Sequence, residues 1–368
     1  MTDDSGGQVT NRDHLDTETS LTAEVTPTGV SAKAKSRLIS AFDRLGGNLA
    51  EWLNVRIEGG TARRRSIIEG ERALIEETVK YGIEHLKSDP QFAARAFETH
   101  FGTVARKQIN RDEVLGYAVE DLKISPPTEI EAAAGPEELN QPFMDRLGSY
   151  AGEASTEELR QRWGRVLAEE VRNPGTFSNK VLRVVDEIDA ATAKLFEDAC
   201  DHRIGDSLPR CLTGELPYAT VIALTTAGLL VEPGLGQHRG FSGSKSNTGE
   251  DFWLISFDDN ALVISKDAKL PDQQFGGMAD SSRAIFRNHT SFPATSVYIL
   301  TKEGLAISSI LPDKAREAFL RYAGLVREQM PEIELRICRR NVAGGYDVVQ
   351  ILEGSPPEQP SPGFSTAT

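Results

Sequence analysis

From Ala32 onward, apolar residues recur at three- and four-residue steps, so that Leu38, Phe42, Leu45, Leu49 and Trp52/Leu53 fall on one helical face. Gly46-Gly47 interrupts that run and predicts a kink. A second helix is expected over about 62–86, with Ile67, Ile68, Leu74, Ile75, Val79, Ile83 and Leu86 apolar and the other face charged. Pro90, at a first-turn position, opens a third stretch reaching toward Asn110. Val114, Leu115, Ala118, Val119 and Leu122 extend its pattern until Ser125-Pro126-Pro127 stops it.

Ser155-Thr156-Glu157-Glu158 reads as a capping box, with Ser155 as the cap and Glu158 returning to its amide. The helix it starts carries Leu159, Trp163, Val166, Leu167 and Val171 on one face and ends at Asn173-Pro174-Gly175. Ser178 caps another, reaching residue 200, with Val181, Leu182, Val185, Ile188, Leu195 and Phe196 inward. The two predict a tight hairpin with Trp163 buried in it, and a third helix follows over 218–229.

Beyond Pro233-Gly234 the period shortens. Residues 252–257 and 261–265, split by Asp258-Asp259-Asn260, predict a β-hairpin. A strand over 297–300, a short helix over 302–311 and an amphipathic helix over 312–329 come next. Residues 334–340 and 346–352, joined across Ala343-Gly344-Gly345, predict a second hairpin. The expected fold is mainly α with a C-terminal α+β part. Its divisions are a disordered 1–29, an N-terminal helical region 30–125, a linker 126–142 with four prolines, a central helical domain 143–233, a flexible loop 234–250, an α+β domain 251–353 and a disordered, proline-rich tail 354–368.

Charge narrows the choice of partners. The chain is formally −14, with −5 in residues 1–30 and +2 in residues 31–124, so everything after residue 124 is strongly acidic. An acidic surface repels nucleic acid and anionic lipid, and only the first helical third escapes that argument. Its basic positions Arg63, Arg64, Arg65, Arg106, Lys107 and Arg111 form the candidate interaction face, although helical spacing amid glutamates more often gives a solvated, ion-paired surface. Three widely spaced cysteines suit a reducing compartment, the acidic N-terminus is unlike a secretory signal, and the apolar run 218–231 is too short to span a membrane. A cytoplasmic location is expected.

One segment resembles a known family. Arg162-Trp163-Gly164-Arg165-Val166-Leu167-Ala168-Glu169-Glu170-Val171, followed by Pro174-Gly175-Thr176-Phe177-Ser178, is similar to the bacterial domain of unknown function 2806. The motif positions are Trp163, Gly164, Arg165, Leu167, Ala168, Glu170, Pro174, Gly175, Phe177 and Ser178. Arg162 and Glu169 stand where that family usually has an apolar residue and a glycine. The resemblance implies structural roles for these residues and carries over no catalytic ones. The overall layout is also similar to abortive-infection alpha proteins of phage defence.

Catalytic chemistry is hard to locate. Cys200-Asp201-His202 with Cys211 is the closest approach to a metal set, and reads more simply as a core cysteine beside an exposed histidine. The glycines of 234–240 do not lead from a strand into a helix as a phosphate loop must, and Gly240-Phe241-Ser242-Gly243-Ser244 lacks the final glycine of a nucleophile elbow. No cofactor is expected. The favoured reading is a non-catalytic interaction or regulatory module linked to phage defence, with an unidentified protein partner and an oligomer through the N-terminal helices. A nucleic-acid binder is the first alternative, since helix 218–229 followed by the 252–265 hairpin has a winged-helix outline, but that helix has no Lys or Arg. An enzyme of unrecognised type is the second.

Overall fold

The computed structural model describes residues 32–46, 90–234, 237–246, 248–268, 287–289 and 292–354. The expected helix over 62–86, Trp52, Arg63, Arg64, Arg65 and, apart from Gly354, both expected disordered ends lie outside them. Contacts divide the chain into two compact units, residues 1–186 and 187–368. That division falls inside the stretch 143–233 expected as one central domain.

The N-terminal unit is helical: α1 (Ala32–Leu45), α2 (Pro90–Ile124), α3 (Glu129–Ala133), α4 (Gln141–Glu153), α5 (Glu157–Arg172) and α6 (Asn179–Glu187). Helix α1 ends at Leu45, with Gly46 after it at φ +75°, and the rest of the interrupted run lies outside the described residues. Helix α2 runs unbroken through Asn110, and its second half supplies the buried Val114, Leu115, Ala118 and Val119. The expected linker is a docked segment: Thr128 and Glu131 form a capping box at the start of α3, and Ala132 and Leu139 are buried. A cap does form at the start of α5, but one residue later than expected. Thr156 has the extended backbone a cap requires and accepts from the Leu159 amide, leaving Ser155 outside the helix.

The expected hairpin of 156–172 and 178–200 does not form as two continuous helices. Helix α5 packs principally on α2, and the second helix stops at Glu187. Asp189 caps a new helix, α7 (Ala190–Cys200), by accepting from the Thr192 amide. A side chain that can hold a fresh first turn favours restarting the helix over continuing it.

The C-terminal unit holds α7, β1 (Ser207–Pro209), α8 (Arg210–Thr213), α9 (Tyr218–Thr226), β2 (His238–Gly240), β3 (Ser242–Lys245), β4 (Asp251–Phe257), β5 (Asn260–Ser265), β6 (Arg287–His289), β7 (Phe292–Ile299), α10 (Lys302–Ser308), α11 (Ala315–Gln329), β8 (Leu335–Arg340) and β9 (Tyr346–Leu352). The expected loop 234–250 contains two strands, β2 and β3. Both expected hairpins form and, with β3, make one antiparallel sheet of order β3-β4-β5-β8-β9. One face carries Ile255, Phe257, Leu262, Ile264 and Leu335 onto Phe319, Tyr322 and Val326 of α11. The Phe257 ring meets Tyr322 edge-on at 5.5 Å, the favoured aromatic geometry.

The second sheet has the order β1-β7-β2, with β6 also on β7. Residues 293–298 of β7 are buried in succession, so this strand needs neighbours on both edges and cover on both faces. The 252–265 hairpin expected to follow helix 218–229 as a wing is not part of this sheet. The strands after α9 are β2 and β7, whereas 252–265 belongs to the other sheet.

Candidate functional site

The motif residues of the N-terminal unit converge on the crossing of α5 with α2 and on the turn that follows α5. Trp163 is 1% exposed, and its ring stacks on Tyr150 of α4 with 5.0 Å between centroids and planes 1° apart. Gly164 lies against Tyr117, where an added Cβ would come 2.5 Å from the tyrosine Cβ, so only glycine permits this approach. Leu167 and Ala168 are buried, while Arg165 faces outward. Arg162, the residue out of pattern, donates to the Val185 carbonyl at 3.2 Å and ties α5 to the last turn of α6.

Glu170 organises the turn. It is buried, and its two carboxylate oxygens accept from the Gly175 amide at 2.6 Å and the Phe177 amide at 3.0 Å. Gly175 has φ +93°, a left-handed conformation that explains glycine there. Pro174 packs near Gly135, Phe177 is buried, and Ser178 accepts from the Val181 amide at 3.3 Å to start α6. Burial pushes the Glu170 carboxyl above its ordinary range, opposed by these amides. Glu169 is raised for the same first reason, opposed by Asn173 and Arg172.

Beside Glu170 is a fully buried arginine. Arg37 of α1 donates through Nε to the Pro136 carbonyl at 2.7 Å, through Nη1 to the Val171 carbonyl at 2.9 Å, and through Nη2 to the Ala134 carbonyl. It thereby satisfies the end of α5 and the end of α3 at once. Arg172 does the same for α2, donating to the Ser125 carbonyl at 2.8 Å and pairing with Asp121 and Glu169. Asn173 bridges Glu131 and Glu169. Clustered buried ions with displaced titration point either to catalysis or to a structural network. Here the hydrogen bonds of Glu170 and Arg37 run to backbone groups of the turn after α5 and of the ends of α3 and α5, which supports the structural alternative. Sequence reasoning passed over Arg37, although a lone cation between Ala34, Leu38 and Ala41 on an apolar helical face was the available signal.

Of the candidate basic residues, three lie among the described residues, all on α2. On α2, Arg106 is exposed and bonds Thr103, Lys107 pairs with Glu153 at 2.5 Å, and Arg111 donates to the Gly148 carbonyl at 2.9 Å. Two of these three positions therefore serve the α2–α4 packing.

In the C-terminal unit Cys200 is buried and its thiol is pushed up to about 12, while Asp201 pairs with Lys314. Burial also raises the Cys211 thiol to about 11, so neither is a thiolate at neutral pH. A cleft of about 280 Å³ lies between Asp251, Val263 and Glu334, where Arg336 pairs with Glu250 and Glu334. That is just below the usual size of a small-molecule site. Helix α9 presents a different surface: Tyr218 is 81% and Ile222 44% exposed, with Ala219 and Thr226 on the same side. Among the described residues no three metal-capable side chains group together, and no helix is long and apolar enough to cross a membrane.

Residues 95–205 match the family described as "Protein of unknown function (DUF2806)". The matched segment contains α5, the turn and Ser178 in full. No curated protein and no solved structure matches the chain.

Proposed function

We propose that this chain is a non-catalytic interaction module, in which the family segment is a scaffold and helix α9 docks a protein. The observation that carries the reading is the exposed face of α9, Tyr218, Ala219, Ile222 and Thr226, in a helix without a single charged residue. In the winged-helix outline α9 is the second helix of the helix-turn-helix pair, which would lie in a major groove. A groove-reading helix needs donors for phosphates and base edges, and α9 offers an aromatic and aliphatic surface instead. Tyrosine on an apolar patch is typical of protein interfaces. The buried bonds of Glu170 and Arg37 support the scaffold role of the family motif. A place in phage defence is the finer part of this reading and rests on the resemblance of layout alone.

The second reading, nucleic-acid binding, is favoured by the strand order β1-β7-β2. Fluorescence anisotropy of labelled duplex DNA, single-stranded DNA and RNA, titrated with the full chain at physiological salt, separates the two. The interaction module gives no saturable binding. A submicromolar complex that survives that salt and weakens when Tyr218 and Ile222 are changed to Glu establishes the second reading instead.

A further inference from the structure

Three buried polar atoms of the C-terminal unit, from three different elements, converge on one place. Thr295 of β7 and Tyr322 of α11 are both fully buried, and neither Thr295 Oγ1 nor Tyr322 Oη has a hydrogen-bond partner among the described residues. Thr295 stands directly opposite Arg239 of β2, which puts both side chains on one face of the second sheet. The Arg239 guanidinium engages Asp206, the Ser207 hydroxyl at 2.8 Å and the Ser256 carbonyl through its two Nη atoms. Its Nε is buried and is the third atom without a partner among the described residues. That guanidinium lies 5.3 Å from the centre of the Phe257 ring, and Phe257 meets Tyr322 edge-on. Helix α8 packs on both β7 and α11 and adds Cys211 to the same place. Burial lifts the Tyr322 hydroxyl well above its ordinary value and the Cys211 thiol to about 11, and the nearby Thr295 hydroxyl opposes both shifts.

We propose that this place is a binding site for one water molecule, which accepts from Arg239 Nε–H and bridges the Tyr322 and Thr295 hydroxyls. Buried polar atoms in folded proteins are nearly all paired, because an unpaired one forfeits the bonds it made to solvent. The chemistry of the three atoms selects the ligand. Arg239 Nε only donates, so the ligand must accept, whereas each hydroxyl can donate or accept. Arg239 is already paired with Asp206, so the site is close to neutral and calls for no anion. Tyr322 and Cys211 both keep their protons at neutral pH, so no cation is called for either. A ligand with two protons and two lone pairs meets all three atoms at once, and three is the usual number of bonds for a buried water. The bridge ties β2 and β7 of the second sheet to α11, the helix that covers the five-stranded sheet. This inference concerns the interior of the unit and stands or falls separately from the α9 reading.

A high-resolution crystal structure of the full chain tests it. The expected result is a single water within about 3.2 Å of Arg239 Nε, Tyr322 Oη and Thr295 Oγ1. In solution, oxygen-17 relaxation dispersion should count one fewer long-lived water in Tyr322→Phe/Thr295→Val than in the wild type, since that pair removes two of the three anchors. Should the double variant unfold, the wild-type density decides alone. A direct hydrogen bond between Tyr322 and Thr295, an ion in place of the water, or an unchanged count in a folded double variant overturns the proposal.

Discussion

Gly164 faces Tyr117 at a distance that leaves no room for a Cβ, and this single approach fixes how α5 lies on α2. The nearest obstructions are the tyrosine Cβ and the backbone nitrogen of Ala118 at 3.1 Å, neither the mobile end of a side chain. Gly164→Ala should therefore lower the stability of the N-terminal unit by about 1–3 kcal/mol through overpacking. That sign is opposite to the gain of about 1 kcal/mol that alanine brings to an unobstructed helix. Urea unfolding of both proteins checks it, and a more stable variant would show that the helices can separate freely.

Trp163 fills the space beside that crossing. Trp163→Ala should cost about 3–5 kcal/mol by the usual cavity penalty. Thermal unfolding followed by circular dichroism reads this directly. A nearly unchanged midpoint would mean that the indole is a surface contact.

Arg37 satisfies three carbonyls that belong to two helix ends. Arg37→Met keeps the volume but leaves those oxygens buried and unpaired, so a loss of about 3–5 kcal/mol is expected. Arg37→Lys should recover only a small part, because one ammonium cannot reproduce the planar fork. Full recovery by lysine, in the same unfolding assay, would show that charge alone matters.

Glu170 gives a pH signature. A carboxyl whose folded value is raised by burial takes up a proton on folding. Its contribution is present below the ordinary value of 4.5 and is lost as pH rises through the higher folded value. Glu170→Ala leaves the Gly175 and Phe177 amides unpaired and should cost about 1–3 kcal/mol at low pH. The gap between wild type and variant should then narrow as pH is raised above 4.5. A widening gap would place the folded carboxyl below its ordinary value.

Helical periodicity disclosed α1, the second half of α2 and the buried face of α5, because each repeats apolar residues at the spacing of one face. Alternation disclosed β4, β5, β8 and β9 for the same reason. The turn motif Pro174-Gly175-Thr176-Phe177-Ser178 was visible as a break and a cap. Its partner Glu170 was visible as a motif position, but not as the acceptor of two amides, since an acid five and seven residues upstream carries no periodic mark. The docking of 126–142 was hidden because prolines signal a connection equally well whether or not a distant Arg37 holds their carbonyls. β2 and β3 were hidden because glycine- and serine-rich segments become strands only when a buried neighbour such as β7 or β4 supplies the ladder. Of the candidate site, the charge-free character of α9 was legible; which of its residues face outward depended on how the helix sits against its neighbours.

The central claim is that α9 meets a protein. Ile222→p-benzoylphenylalanine in the full chain, made in its native cells and irradiated there, tests this at the position itself. The account predicts a covalent adduct that protease removes and nuclease does not, absent when the probe is at Arg165 on α5. A nuclease-sensitive adduct, or equal labelling from both positions, would contradict it.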